Sequence, residues 1–150
     1  MQIIVDADAC PVKNEIFRVA RRYGLKVILV SNTWMRVPEE DGIELVLVGK
    51  DRLDQADDCI TDKADENSIV VSSDILLASR CIAKGAGVLN AKGFIFDSQS
   101  IGQALAGREL SAYLRETGIR TGGPAPFEKK DRSRFLQNLD RLIQSGLTRK

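Results

Sequence analysis

Two aspartates one residue apart, Asp6 and Asp8, follow the apolar run Ile3-Ile4-Val5 and lead into Cys10-Pro11. Residues i and i+2 of an extended strand share a face, so this spacing predicts two carboxylates pointing the same way where the chain leaves a sheet. Asp54, Asp57 and Asp58 fall at i, i+3 and i+4, the spacing of one helix face. Like charges so placed repel, which leaves a solvated acidic face or a site as the reason for them. Asp74 stands between the apolar run Ile69-Val70-Val71 and a helical pattern from Ile75 to Ala83. Asp74 can cap that helix, and Ser72 or Ser73 can do the same, which leaves Asp74 freer for chemistry. The sequence contains no histidine. Ser-His-Asp and Cys-His nucleophile systems and imidazole ligation are therefore excluded. Oxygen-only ligation favours hard cations, Mg²⁺ or Mn²⁺, over zinc.

The elements that must position these acids follow from periodicity. Val12, Ile16, Val19, Ala20 and Tyr23 form the stripe of an amphipathic helix, with Pro11 in its first turn and Gly24 as its stop. Lys26 to Val30, Ile43 to Val48 and Asn67 to Val71 read as strands, as does the short Val88-Leu89, with an edge strand at Phe94-Ile95-Phe96. Helices are expected over Leu53 to Ala64 and Ile75 to Ala83. Ser31-Asn32-Thr33-Trp34 leaves its strand as a polar turn by default, or else contacts a ligand, with Trp34 expected to pack rather than to serve as a base-stacking platform. From Ser98 one or two helices are predicted, broken near Gly107-Arg108. A last helix, Lys129 to Leu147, buries Phe135, Leu139, Leu142 and Ile143 beneath a basic outer face. Gly122 and Gly123 of Thr121-Gly122-Gly123-Pro124 permit turns that gather backbone N–H groups around an anion, or simply turn the chain. Strands alternating with helices this regularly predict an α/β fold with a mainly parallel sheet, its carboxyl edge carrying the acids.

At 150 residues the chain is expected to form one domain with a substantial core. No apolar run reaches membrane-spanning length, and the N-terminus lacks the form of a signal peptide. Cys10, Cys59 and Cys81 are odd in number and widely spaced, which suits inert thiols in a reducing, cytoplasmic setting. The net charge of +1 is unevenly divided: residues 108–150 hold ten basic and five acidic side chains, residues 1–107 twelve and sixteen. A basic C-terminal third beside an acidic body suits a polyanion brought to a cation site, or else a solvated basic helix. Oligomeric state has no signature here.

Val5-Asp6-Ala7-Asp8-Ala9-Cys10-Pro11-Val12, the group Asp54, Ala56 and Asp57, Ser73-Asp74-Ile75 with Leu77-Ala78, Lys84-Gly85-Ala86, Thr121 to Pro124, and Asp131-Arg132 with Phe135 together resemble the YaiI/YqxD family of uncharacterised bacterial proteins. The resemblance spans nearly the whole chain in order. It departs at Ser72, where the family pattern has threonine, and at Leu76, where it has proline. The family is similar in fold to PIN-like nucleases. That implies a single three-layer domain over 1–150, a mainly parallel central sheet flanked by helices, with the helices of about 98–150 packed on the α/β core.

The resemblance further implies Asp6, Asp8, Asp57 and Asp74 as catalytic acids. Asp6 and Asp74 would be the primary ligands of Mg²⁺ or Mn²⁺, with Asp8, Asp54 and Asp57 reaching the ion directly or through water. Clustered carboxylates raise one another's pKa unless a cation relieves them, and two such ions can activate water against a phosphodiester. Lys13, Arg108 and Arg115 are the phosphate-binding candidates, with Arg132 and Arg134 behind them. Hydrolysis of RNA, or of DNA, is the expected activity. Two alternatives stand beside it. Asp-x-Asp after a strand also opens haloacid-dehalogenase-type phosphatase sites, in which the first Asp is the nucleophile and the second the acid/base, although Cys10-Pro11 does not suit them. A non-catalytic nucleic-acid or nucleotide binder is the other.

Overall fold

The computed structural model describes residues 1–49, 55–116 and 127–148, giving the backbone alone for Ala9 and 108–116. Six strands form one sheet: β1 (Gln2–Asp6), β2 (Lys26–Ser31), β3 (Ile43–Leu47), β4 (Ser68–Val71), β5 (Gly87–Leu89) and β6 (Ile95–Phe96). Their spatial order is β3-β2-β1-β4-β5-β6, all parallel except the antiparallel edge strand β6. From β1 the chain builds outward to β2 and β3, then returns to lay β4 against the other side of β1. The direction of winding therefore reverses between β1 and β4, whose carboxyl ends lie side by side at the pair Val5 and Val71.

Period-two alternation divides the apolar runs between the two faces. Ile3, Val5, Val27, Leu29, Ile69 and Val71 pack beneath α1 (Lys13–Tyr23) and α5 (Lys129–Thr148). Ile4, Ile28, Val30, Val70 and Val88 pack beneath α2 (Gln55–Lys63), α3 (Ile75–Ala83) and Ile101 of α4 (Ser98–Glu116). The fold is thus the expected three-layer α/β arrangement around a mainly parallel sheet. Central strands buried on both faces explain why their sequences read as continuous apolar runs rather than alternating ones.

Three local expectations need correction. α1 begins at Lys13, after a turn through Pro11 and Val12, and its Val12 cap position carries no side-chain cap. α4 runs unbroken through Gly107, because an exposed glycine weakens a helix without interrupting its hydrogen bonds. Trp34 does not pack: it is 70% exposed.

α1 and α5 lie side by side and point the same way, since Glu15 pairs with Arg132 and, eight residues on in each helix, Tyr23 donates to Asp140. Glu15 is 5% exposed, and one of its oxygens has no hydrogen-bond partner among the described residues. Its charge makes Arg132 the obligatory neighbour, because an ionised carboxylate left alone at that depth would be costly. α5 is also seated on the turn after β5. There Gly93 has φ +88°, and Asn138 donates to its carbonyl at 2.6 Å. A Cβ at Gly93 would stand 2.6 Å from the backbone carbon of Arg134.

Gly93→Ala is expected to cost about 3 kcal/mol or more, from left-handed strain together with backbone overlap. Gly102→Ala, at an exposed α4 position whose added Cβ meets nothing within 4 Å, should instead gain up to about 1 kcal/mol. The two shifts in urea midpoint, opposite in sign, check the close approach of α5 to the sheet.

Candidate functional site

Asp6 is the last residue of β1, at the point where the winding reverses, and open α/β sheets place their ligand crevices at such points. Its carboxyl is held above the ordinary carboxylate range. Burial is the largest cause, a hydrogen bond from Ser72 opposes it, and the negative charges of Asp8 and Asp74 add to it. The structure therefore brings together three of the expected acids, from the exits of two neighbouring strands.

Ser72 links two of them. Its hydroxyl donates to Asp6 Oδ2 at 3.0 Å and accepts the Asp74 N–H at 3.0 Å. That fixes the spacing of the β1 and β4 exits, a role the sequence reading did not assign to Ser72. Asp74 itself caps α3: its Oδ1 accepts from Leu76 N at 2.9 Å and Leu77 N at 3.2 Å. Of the caps the sequence offered, Asp74, Ser72 and Ser73, the structure uses Asp74. Ser72 is turned toward Asp6, and the N–H groups of α3 fall to the carboxylate, which also suits the helix dipole.

Asp8 does not share a strand face with Asp6. The strand ends at Asp6, and Ala7–Ala9 winds into a 3₁₀ turn that carries Asp8 sideways to the exit of β2. There it accepts hydrogen bonds from the Ser31 hydroxyl and from Asn32 N, at 3.0 Å to Oδ2. Ser31 in turn accepts the Thr33 N–H at 3.0 Å. The side-chain oxygen of Asn32 is enclosed without a hydrogen-bond partner among the described residues. Ser31 and Asn32 were expected to form a turn or to contact a ligand; small polar residues at a carboxyl strand end were their one signal.

Lys13 leans back over this loop, its amine 3.5 Å from the Ala7 carbonyl. Cys10 lies among the charges of Lys13, Asp6 and Glu15, and burial raises its thiol pKa, so it stays protonated at neutral pH. Cys81, fully buried, is pushed up to about 11, mainly by burial. Both fit the expected inert thiols.

The remaining candidates lie elsewhere. Asp57 acts on Arg80 and Cys81 of α3, while its neighbour Asp58 pairs with Arg80 at 2.9 Å. Asp54, Gly122 and Gly123 fall outside the described residues, and Arg108 and Arg115 belong to α4 with only their backbone described. Arg132 is committed to Glu15, and Arg134 lies 3.9 Å from Asp131. Among the described residues no three carboxylates or thiols converge tightly enough to hold a metal ion by themselves.

The raised Asp6 carboxyl sets a pH dependence. It binds its proton more tightly in the folded chain than in the unfolded one. Its contribution to stability is therefore fully present below the unfolded carboxylate range and is lost as pH rises through the folded pKa. Asp6→Asn keeps an oxygen to accept from Ser72 and removes the charge. The variant is expected to melt about 2–4 °C above the native chain at neutral pH, the shift that roughly 1 kcal/mol makes at this size. The difference should close as pH falls toward about 4; thermal melts across that range read both.

Comparison with known proteins places the chain. Residues 4–145 match the family model described as "Uncharacterized BCR, YaiI/YqxD family". A UPF0178 protein of Paramagnetospirillum magneticum is 48% identical over 145 residues, covering 97% of this chain and 95% of the relative. Those of Agrobacterium fabrum and Sphingopyxis alaskensis are 50% and 55% identical, covering 95% and 94% of this chain and 93% and 92% of theirs. No solved structure matches. With a family model spanning almost all of it and relatives this similar end to end, the chain belongs to the YaiI/YqxD family of uncharacterised proteins.

Proposed function

We propose that the chain is a divalent-cation-dependent phosphodiesterase that cuts RNA, or DNA, at the carboxyl edge of its sheet. One observation carries the reading: Asp6 is partly desolvated at the reversal of winding, with the charges of Asp8 and Asp74 beside it. Such a group gains from any cation that relieves the repulsion. The donors suit Mg²⁺ or Mn²⁺ that keeps much of its water, since Mg²⁺ is usually held by one or two carboxylates plus substrate phosphate. Asp6 would hold it, with Asp8 or Asp74 beside it, and the unpartnered Asn32 oxygen offers one further hard donor. The ion's contribution would be to lower the pKa of a bound water and to stabilise charge on the phosphate. Ser72 holds Asp6 in place, and Lys13 stands where a phosphate would need a counter-charge.

Charge supports a polyanionic substrate. α1 and α5, together on one face of the sheet, hold nine basic and three acidic residues, so the rest of the chain is net acidic. Arg18, Arg22, Lys129 and Arg141 are exposed on these helices and form no ion pair with a described acid. A basic layer beside an acidic edge can hold the backbone of a nucleic acid while one phosphate reaches the acids.

A second reading, binding without turnover, is favoured by the hydrogen bonds that already occupy Asp8 and one oxygen of Asp74. The phosphatase reading has less support, because both oxygens of Asp8 already accept hydrogen bonds from Ser31 and Asn32 rather than facing a leaving group. No helix among the described residues is long and apolar enough to cross a membrane. A cytoplasmic, reducing setting belongs to the proposal, resting on three free cysteines.

Calorimetric titration of Mn²⁺ into the native chain and into Asp6→Asn/Asp74→Asn, followed by labelled single-stranded RNA, tests it. The double variant should fold, because asparagine caps a helix as well as aspartate does. Binding to the native chain alone, with a cleavage rate on the order of 10²–10⁴ above the variant's, is expected. RNA bound equally by both and cut by neither would assign the binding role; absence of Mn²⁺ binding at millimolar concentration would remove the catalytic one.

A further inference from the structure

Among the described residues Trp34 is the most exposed of the large apolar side chains, at 70%, with Leu47 of the edge strand β3 at 51%. Together with Met35, Arg36, Val37 and Leu45 they line a groove of about 880 Å³ beside the carboxyl ends of β2 and β3. Leaving an indole in water forgoes one of the largest burial gains any side chain offers, so its exposure calls for an occupant.

The position of Trp34 is fixed relative to the acids. Thr33 N–H donates to Ser31 Oγ, and Asn32 N–H donates to Asp8. Only Thr33 separates Asn32 from Trp34, so their Cα atoms are at most about 7 Å apart. The ring thus stands one short chain segment from Asp8, on the side of the sheet reversal where β2 lies.

We propose that Trp34 is the stacking platform for an unpaired nucleobase of a single strand that crosses the ends of β3 and β2 toward Asp6 and Asp8. The chemistry matches on both parts of a nucleotide. An exposed indole face offers stacking to any base, and the exposed Arg36 beside it has no ion pair among the described residues and can meet a phosphate. One carboxylate, Glu39, also lines the groove. Bases within a duplex already stack on both faces, so the platform selects single strands. This inference rests on the nucleic-acid reading given above and adds its substrate class.

Trp34 is the sole tryptophan of the sequence, so indole emission reports on this site alone. A uridine oligonucleotide and a duplex of matched length are titrated into the native chain and into Asp6→Asn/Asp74→Asn, with chelator present so that nothing is cut. Saturable quenching by the single strand in both proteins, and weaker quenching by the duplex, is expected. Trp34→Ala should weaken binding by roughly ten- to hundred-fold and Trp34→Phe by far less, with thermal melts checking that both remain folded. Unchanged emission overturns the platform even if RNA is bound or cut, leaving the nuclease reading intact. Equal quenching by duplex, or an emission shift that follows protein concentration without oligonucleotide, overturns it in favour of a backbone contact or a second copy. Quenching without any cleavage in Mn²⁺ sinks the nuclease reading and leaves the platform standing.

Discussion

β1 is enclosed on four sides: β2 and β4 pair along its edges, and helices cover both its faces. That enclosure is the constraint on which the rest depends. A strand with no exposure along Ile3, Ile4 and Val5 can surface only at its ends, and at the carboxyl end it surfaces as Asp6. The carboxylate is therefore desolvated by the same packing that makes the core, and the fold tolerates a group that would be more comfortable protonated. Ser72 offsets part of that cost by donating to it, and in doing so ties the exits of β1 and β4 together. Strain of this kind at the end of a central strand is a feature of sites rather than of scaffolds.

The two helical layers differ in charge for a topological reason. α1 follows β1 and α5 closes the chain, and the sheet brings both to one face. The C-terminal excess of basic residues, visible in the sequence, is thereby joined by Arg18, Arg21 and Arg22 from near the N-terminus, which no count along the chain would group with it. The pairing of buried Glu15 with Arg132 and the close seat at Gly93 hold this arrangement. Removing Arg132 would leave the buried Glu15 carboxylate uncompensated, and adding a side chain at Gly93 would push α5 off the sheet.

Much of the site was legible, and its failures share a cause. Asp6 and Asp74 were found because a strand followed by an acid is a local pattern. Asp8 was found as a residue but misplaced, since the i, i+2 rule holds only while the strand continues, and a 3₁₀ turn begins one residue after Asp6. The cap of α3 was left open among Asp74, Ser72 and Ser73; which oxygen caps it depends on where Ser72 points, and that is set by Asp6 on another strand. Trp34 was expected to pack because most tryptophans do. Its exposure accords with β3 being an edge strand that no further strand flanks among the described residues.

The sequence by itself determined the α/β class, the bounds of most strands and helices, the absence of imidazole chemistry, the family and the identity of the acids. All of these are encoded in composition or in spacings within a dozen residues, where hydrophobic period and turn chemistry act locally. Only the tertiary structure decided which acids meet, which are already committed to backbone N–H groups, and that Asp57 looks toward α3. It also decided that two distant helices share one basic face and that Trp34 stands exposed, a short chain segment on from Asn32, whose N–H meets Asp8. These depend on strand order and on contacts between residues up to 117 positions apart, which no local pattern records.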